Sequence, residues 1–234
     1  MQKIPGVIVC FIIFSSCTGI TGSGRIKTEE RMVGHFDGIQ SAGSVDIEVK
    51  IGPTQRVEIE GDDNVLKYVL TEVSNGLLTV RNKSHIRLIN SHLKAFVTTP
   101  VLNRIYVTGS SDIQSRDTLR DATGIELNVG GSGDIKAIVH TPTVTSNVTG
   151  SGSITLQGVT RNFDLTITGS GEVKSRELMS ENAVVRVSGS GSAHVYASMK
   201  LDASVTGSGD IFYSGNPTSP SISKSGSGSI QKER

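Results

Sequence analysis

The chain has 234 residues and carries 23 Lys and Arg against 22 Asp and Glu. Such a balance lacks the basic footprint that nucleic acid or an anionic membrane surface selects for. Glycine supplies 27 residues, aromatics are 4% and Trp is absent, so against a usual glycine share of roughly 7% the chain must turn often around an aliphatic core.

The first predicted element is an export signal. Lys3 precedes an apolar run from Ile4 to Phe14, too short for the roughly 20-residue helix that spans a bilayer. Residues 1–16 therefore read as a signal peptide. The run ends in Ser15-Ser16-Cys17, and small residues before a Cys resemble the lipobox of bacterial lipoproteins, with Phe14 departing from the aliphatic residue usual at its position. Cys17 is then the lipid-bearing first residue; ordinary secretion with Cys17 as a free thiol is the alternative. Cys10 leaves with the signal, so the mature chain has no internal disulfide and no Cys-based metal site. Residues 17–29, with Thr-Gly-Ile-Thr-Gly-Ser-Gly from Thr18 to Gly24, predict a lipid-anchored flexible tether.

Residues 30–106 predict a β-rich N-terminal subdomain. Val45 to Ile51 and Val57 to Gly61 alternate apolar and polar side chains, the period of a strand with one buried face. Asp63 to Val69 fits one or two helical turns. Ser74-Asn75-Gly76 marks a hairpin, because Asn-Gly suits the turn that matches strand twist. Ser41 to Val49 already resembles one unit of the repeat that follows, so this region is also readable as a modified continuation of the same sheets.

Residues 107–234 are dominated by that repeat. Its units open at Gly109, Gly131, Gly150, Gly169, Gly189, Gly207 and Gly226, at intervals of 22, 19, 19, 20, 18 and 19. A period near 19 with alternating residues on both sides of each Gly-x-Gly, and no stretch long enough for a crossover helix, predicts one coil of a parallel β-helix (β-solenoid) per unit. Val129, Val148, Ile167, Val187 and Val205 should stack as one internal ladder. Ile135, Ile154, Val173, Ala193, Ile211 and Ile230 should form a second. The glycines then sit at a corner where coils approach closely and positive φ is tolerated. The predicted fold class is all-β, with coils of the commoner right-handed form.

Phe36-Asp37-Gly38-Ile39, the Val57-to-Val69 segment, the Val73-to-Val80 hairpin and the recurrent Gly-Ser-Gly-Asp-Ile turns resemble the putative auto-transporter adhesin, head GIN domain family over about residues 30–231. The resemblance implies a β-helical fold and a bacterial cell-envelope setting, as an outer-membrane lipoprotein on its periplasmic or surface face. It carries over no catalytic motif.

The residues themselves point the same way. His35, His85, His92, His140 and His194 follow no metal or catalytic spacing. Asp112, Asp134, Glu172 and Asp210 share one repeat offset, but Ser153, Ser192 and Ser229 fill it in other coils, which reads as a solvated turn column avoiding stacked like charges. Gly130 to Asp134 falls one spacer short of a calcium β-roll motif, whose repeat is nine residues. No cofactor or metal is called for. The distinctive surface feature is a column of hydroxyls at Ser110, Ser132, Ser151, Ser170, Ser190, Ser208 and Ser227, flanked by Thr108, Thr149, Thr168 and Thr206. It is either a polar strip for a repetitive ligand such as a glycan, or simply a set of turn-compatible residues. Tyr196, Phe212 and Tyr213 form the one aromatic patch predicted from neighbouring coils. The expected function is non-catalytic binding or adhesion at the envelope, held to the membrane by the lipid, with a glycan or another envelope component as ligand. A structural spacer or self-assembling module is the alternative, disfavoured by Lys224, Lys232 and Arg234 at the terminal repeat. A polysaccharide-acting enzyme is a distant third. Oligomeric state is open.

Overall fold

The computed structural model describes residues 18–233; the expected signal peptide, Cys17 and Arg234 lie outside them. The described chain is a β-solenoid of parallel stacked coils, with two columns of strands meeting at the Gly-x-Gly corner. The column entering the corner contains Leu77–Asn82, Gly38–Gly43, Arg104–Gly109 and Ile125–Gly131. It continues through the second halves of the long strands Asp134–Gly150, Ser153–Gly169 and Glu172–Gly189 to Lys200–Gly207 and Ser221–Gly226. The column leaving the corner runs from Leu93–Thr99 through Asp46–Ile51, Ile113–Arg120 and the first halves of the long strands. It ends with Ser192–Tyr196, Asp210–Ser214 and Ser229–Lys232.

Both predicted ladders form, in register. Val107, Val129, Val148, Ile167, Val187 and Val205 lie one above another and are buried, as are Ile113, Ile135, Ile154, Val173, Ala193 and Ile211. Alternation explains why: every second side chain of each strand points inward, and burying a Val, Leu or Ile contributes about 1.5–3 kcal/mol. Ser146 interrupts this interior. It is fully buried in register with Leu127 and Leu165, and its hydroxyl has no hydrogen-bond partner. Ser146→Ala should therefore raise stability by about 1 kcal/mol, because an unsatisfied buried hydroxyl costs about 1–3 kcal/mol; urea unfolding measures the gain.

The corner is a backbone device. At Gly109, Gly131, Gly150, Gly169, Gly189, Gly207 and Gly226, φ lies between +115° and +137°. An added Cβ would stand only 2.3–2.6 Å from the carbonyl oxygen of the equivalent glycine one coil earlier. At the first six of these corners the serine after the glycine donates its backbone N–H to that same carbonyl, as Ser151 does to Gly131 and Ser170 to Gly150, both at 2.9 Å; at the last, Gly228 N–H donates to Gly207 O. Glycine is required here by conformation and by space together.

The N-terminal region continues the solenoid. Gly43 aligns with Gly109, and Gly38–Gly43 pairs with Arg104–Gly109 across the predicted division at residues 106 and 107. One hydrophobic cluster runs from Phe36 to Ile211. What differs is the closure of this end. Val69–Ser74 folds back antiparallel on Leu77–Asn82 through Asn75-Gly76, whose φ values are 51° and 72°. Arg56–Asp62 lies antiparallel between Leu93–Thr99 and Ile26–Glu30. The short helical stretch is a 3-10 turn at Leu66–Tyr68.

The flexible tether expected at Thr18 to Gly24 is not what the chain builds. Thr18–Thr21 pairs in parallel with Ile86–Ile89, and Ile26–Glu30 is the outer strand beside Arg56–Asp62. Between them, Gly22 N–H donates to Ile89 O, Ser23 N–H to Asn64 Oδ1 and Gly24 N–H to Asp62 Oδ1. Asp62 is 2% exposed and also accepts from His92 N–H. Gly/Ser composition suggests a loose chain only when no partners satisfy its backbone; here they do.

At the other end, Ser221–Gly226 is exposed along its length. Lys224 stands in the Val205 position of one inner ladder, and Lys232 in the Tyr213 position on the other column.

Candidate functional site

The outer surface inherits the register of the interior. Residues one position before the corner glycines stack as Thr108, Gly130, Thr149, Thr168, Ser188, Thr206 and Ser225, beside the column of corner serines. Two positions further back lie Tyr106, Asn128, Asn147, Thr166, Arg186, Ser204 and Ser223. Corner serines Ser110, Ser132, Ser151, Ser170, Ser190, Ser208 and Ser227 are all exposed. None of their hydroxyls makes an internal hydrogen bond among the described residues, whereas Thr108 accepts from Gln40 Nε2 and Asn147 donates to Asn128 Oδ1. Coils about 4.8 Å apart and alternate residues about 7 Å apart along a strand make this face a regular grid of donors and acceptors.

The carboxylate column has a structural role. Asp46 Oδ1 accepts from Asp112 N–H, Asp112 Oδ1 from Asp134 N–H, and Asp134 Oδ1 from both N–H and Oγ of Ser153. Asp210 does the same for Ser229. Each of these Asp side chains thus binds the equivalent backbone amide of the next coil, whereas after Ser153 and Ser192 that amide is taken by Gly152 O and Gly191 O. Asp46, missed in the repeat count, makes three consecutive carboxylates. Burial, and then the charges of Asp134 and Asp46, push the Asp112 carboxyl above its ordinary range.

The aromatic patch is split by strand parity. Tyr213 shares the inward side with Ile211, in register with Val195, and packs against the core. Phe212 points outward and stacks on His194, with centroids 4.8 Å apart; Tyr196 lies level with Ser214. His194 also contacts Glu233 at 3.0 Å. His35 lies beside Gln55, His92 beside Glu60 and His140 beside Arg120, so these histidines occupy separate places. Among the described residues no group of three or more His, Cys, Asp or Glu is placed to hold a metal ion.

A groove of about 550 Å³ lies between residues 88–94 and the first coils, lined by Asp46, Glu48, His92, Lys94, Asp112 and Gln114 among others. Glu48 is nearly buried and receives Arg116 and Lys94, each at 2.9 Å. Those two hydrogen bonds, Arg116 first, hold its pKa at about 2 against the opposing effect of burial. The folded carboxyl thus stays ionised where the unfolded one protonates, so its stabilisation is present above the ordinary value of 4.5 and lost as pH falls towards 2. Glu48→Gln should cost about 1–2 kcal/mol at pH 7, discounted for the exposure of both cations. In urea unfolding the gap between variant and parent should close over that acid window.

The family model described as putative auto-transporter adhesin, head GIN domain, matches residues 35–217. Among solved structures, the chain is similar to a putative adhesin from Bacteroides fragilis NCTC 9343, at 24% identity and TM-score 0.85, covering 92% of this chain and 100% of that one. It is similar to a putative lipid binding protein from Parabacteroides distasonis ATCC 8503, at 27% identity and TM-score 0.78, covering 93% and 100%. A putative adhesin from Parabacteroides merdae ATCC 43184 shares 21% identity at TM-score 0.73, covering 92% and 99%. No curated protein matches the chain.

Proposed function

The chain belongs to the putative auto-transporter adhesin, head GIN domain family, and from that premise we propose that it is a non-catalytic envelope lipoprotein, anchored through Cys17, whose grid of exposed hydroxyls binds a repetitive polar ligand such as a glycan. One observation carries this reading: the corner serines repeat in register, coil after coil, with hydroxyls left unused by the fold. A ligand with its own repeat meets equivalent donors at each coil, so weak contacts add along its length. Among the described residues no helix is long and apolar enough to cross a membrane, consistent with attachment by a lipid.

The lipid-binding name of one structural neighbour suggests a second reading, but an acyl chain needs an apolar cavity. Here the interior between the columns is filled by aliphatic side chains, and the 550 Å³ groove is lined largely by charged and polar residues.

Binding of residues 17–234 to a glycan array tests the proposal. Ser151→Ala, Ser170→Ala and Ser190→Ala together should lower affinity about tenfold, equivalent to about 1.4 kcal/mol, while leaving the melting temperature unchanged. Binding that survives the triple variant, or no binding to any glycan, overturns the hydroxyl grid as the site.

A further inference from the structure

Resting on the reading that Cys17 carries a lipid, we infer that the N-terminal end of the solenoid sits directly on the membrane surface, through Arg87 and Ile89 on the two-stranded sheet of residues 18–21 and 86–89. The pairing of Thr18–Thr21 with Ile86–Ile89 leaves no slack. One residue of extended chain spans at most about 3.6 Å, and Thr18, already paired with Ile86, follows Cys17 immediately. Hydrogen bonds from Gly22, Ser23 and Gly24 to Ile89, Asn64 and Asp62 fix the next turn to the body. An acyl group on Cys17 therefore brings this small sheet to the bilayer.

The sheet has the side chains for that position. Ile20 and Leu88 are half-buried, with Leu88 lining the groove, while Gly19, Thr21, Arg87 and Ile89 form the more exposed side. Gly19 lies in register with Arg87 and Thr21 with Ile89, which is 39% exposed. Small residues beside an Arg and an exposed Ile present a cation to lipid phosphates and an apolar wedge to the acyl boundary, without bulk between them. The partner is thus a phospholipid surface. Ile222 marks the opposite end, roughly 30–40 Å away at about 4.8 Å per coil.

The absence of Trp makes the test direct. Residues 17–234, with Cys17 as the sole thiol, are coupled to a maleimide-headgroup lipid in vesicles of phosphatidylcholine and phosphatidylglycerol with brominated acyl chains. Ile89→Trp fluorescence should fall roughly twofold relative to unbrominated vesicles, as expected for an interfacial side chain, while Ile222→Trp should not change. Adding Arg87→Glu to Ile89→Trp should weaken the quenching, and a Gly/Ser spacer after Cys17 should leave it in place. Unquenched Ile89→Trp, quenching of Ile222→Trp, or quenching abolished by the spacer overturns the seating. Because the lipid is attached chemically, this outcome is separate from the anchor reading itself. That reading fails if the N-terminal peptide from host cells has an unlipidated mass.

Discussion

Gly169→Ala should lower the unfolding free energy by about 4 kcal/mol, among the larger effects a single substitution produces. Gly169 has φ +117°, and a Cβ would lie 2.6 Å from Gly150 O and 3.3 Å from Gly150 C and N. No flexible side chain can move aside, because the obstacle is the backbone of the preceding corner. Holding alanine in that conformation costs about 1–3 kcal/mol. Opening the corner to relieve the contact sacrifices the Ser170 N–H bond to Gly150 O, about 1 kcal/mol more, together with packing of Ile167 in the ladder. For a chain of this size the melting temperature should drop by roughly 10 °C. Ser170→Ala, one residue on, removes only an exposed hydroxyl and should change stability by less than about 0.5 kcal/mol. Circular dichroism during urea and thermal unfolding measures both. Similar values for the two variants would mean that close backbone stacking does not determine the corner.

Lys224→Val with Lys232→Val should make the chain associate end to end, where the parent is expected to stay discrete. Lys224 and Lys232 occupy inward positions of the last strand in each column. Ile222, 49% exposed, and Ile230 complete that terminal layer. Replacing both charges leaves an apolar layer framed by two strands whose outer edges have no partner among the described residues, the arrangement that templates further pairing. Inward charges oppose this because stacking another coil would bury them, at a cost of several kcal/mol per unpaired ion. Light scattering should show mass rising with concentration for the double variant and a constant mass for the parent. A parent that polymerises would revive the self-assembling spacer reading.

The regular part of the fold was legible because its cause is local and repeated. Gly-x-Gly at 18–22-residue intervals fixes the corner, and period-two alternation fixes which side chains enter the ladders, so coil register followed from spacing alone. The hairpin at Asn75-Gly76 and the turn at Leu66–Tyr68 were readable from their own residues. The N-terminal closure was not. Thr18 to Gly24 has the composition of a linker, and only distant partners, Ile86–Ile89 and the carboxylate of Asp62, turn it into bound structure. Nor does anything near Glu48 in the sequence announce Arg116 and Lys94. Parity did contain the signal that Tyr213, two residues after Ile211, faces inward and so leaves Phe212 without it. The carboxylate offset was recognised, but its reason, an amide of the following coil at hydrogen-bond distance, needed coordinates.

Asp134–Gly150 and Ser153–Gly169 pair through Gly150 and Gly169 without a register shift, whereas the next pairing slips between Thr155 and Gln157. Two adjacent coils that match so well are interchangeable units: a duplication or excision of one such segment lengthens or shortens the rod by a single step while every remaining neighbour finds the same surface. Unequal recombination within the gene then has a ready means of setting the span between the two ends, without altering either terminus.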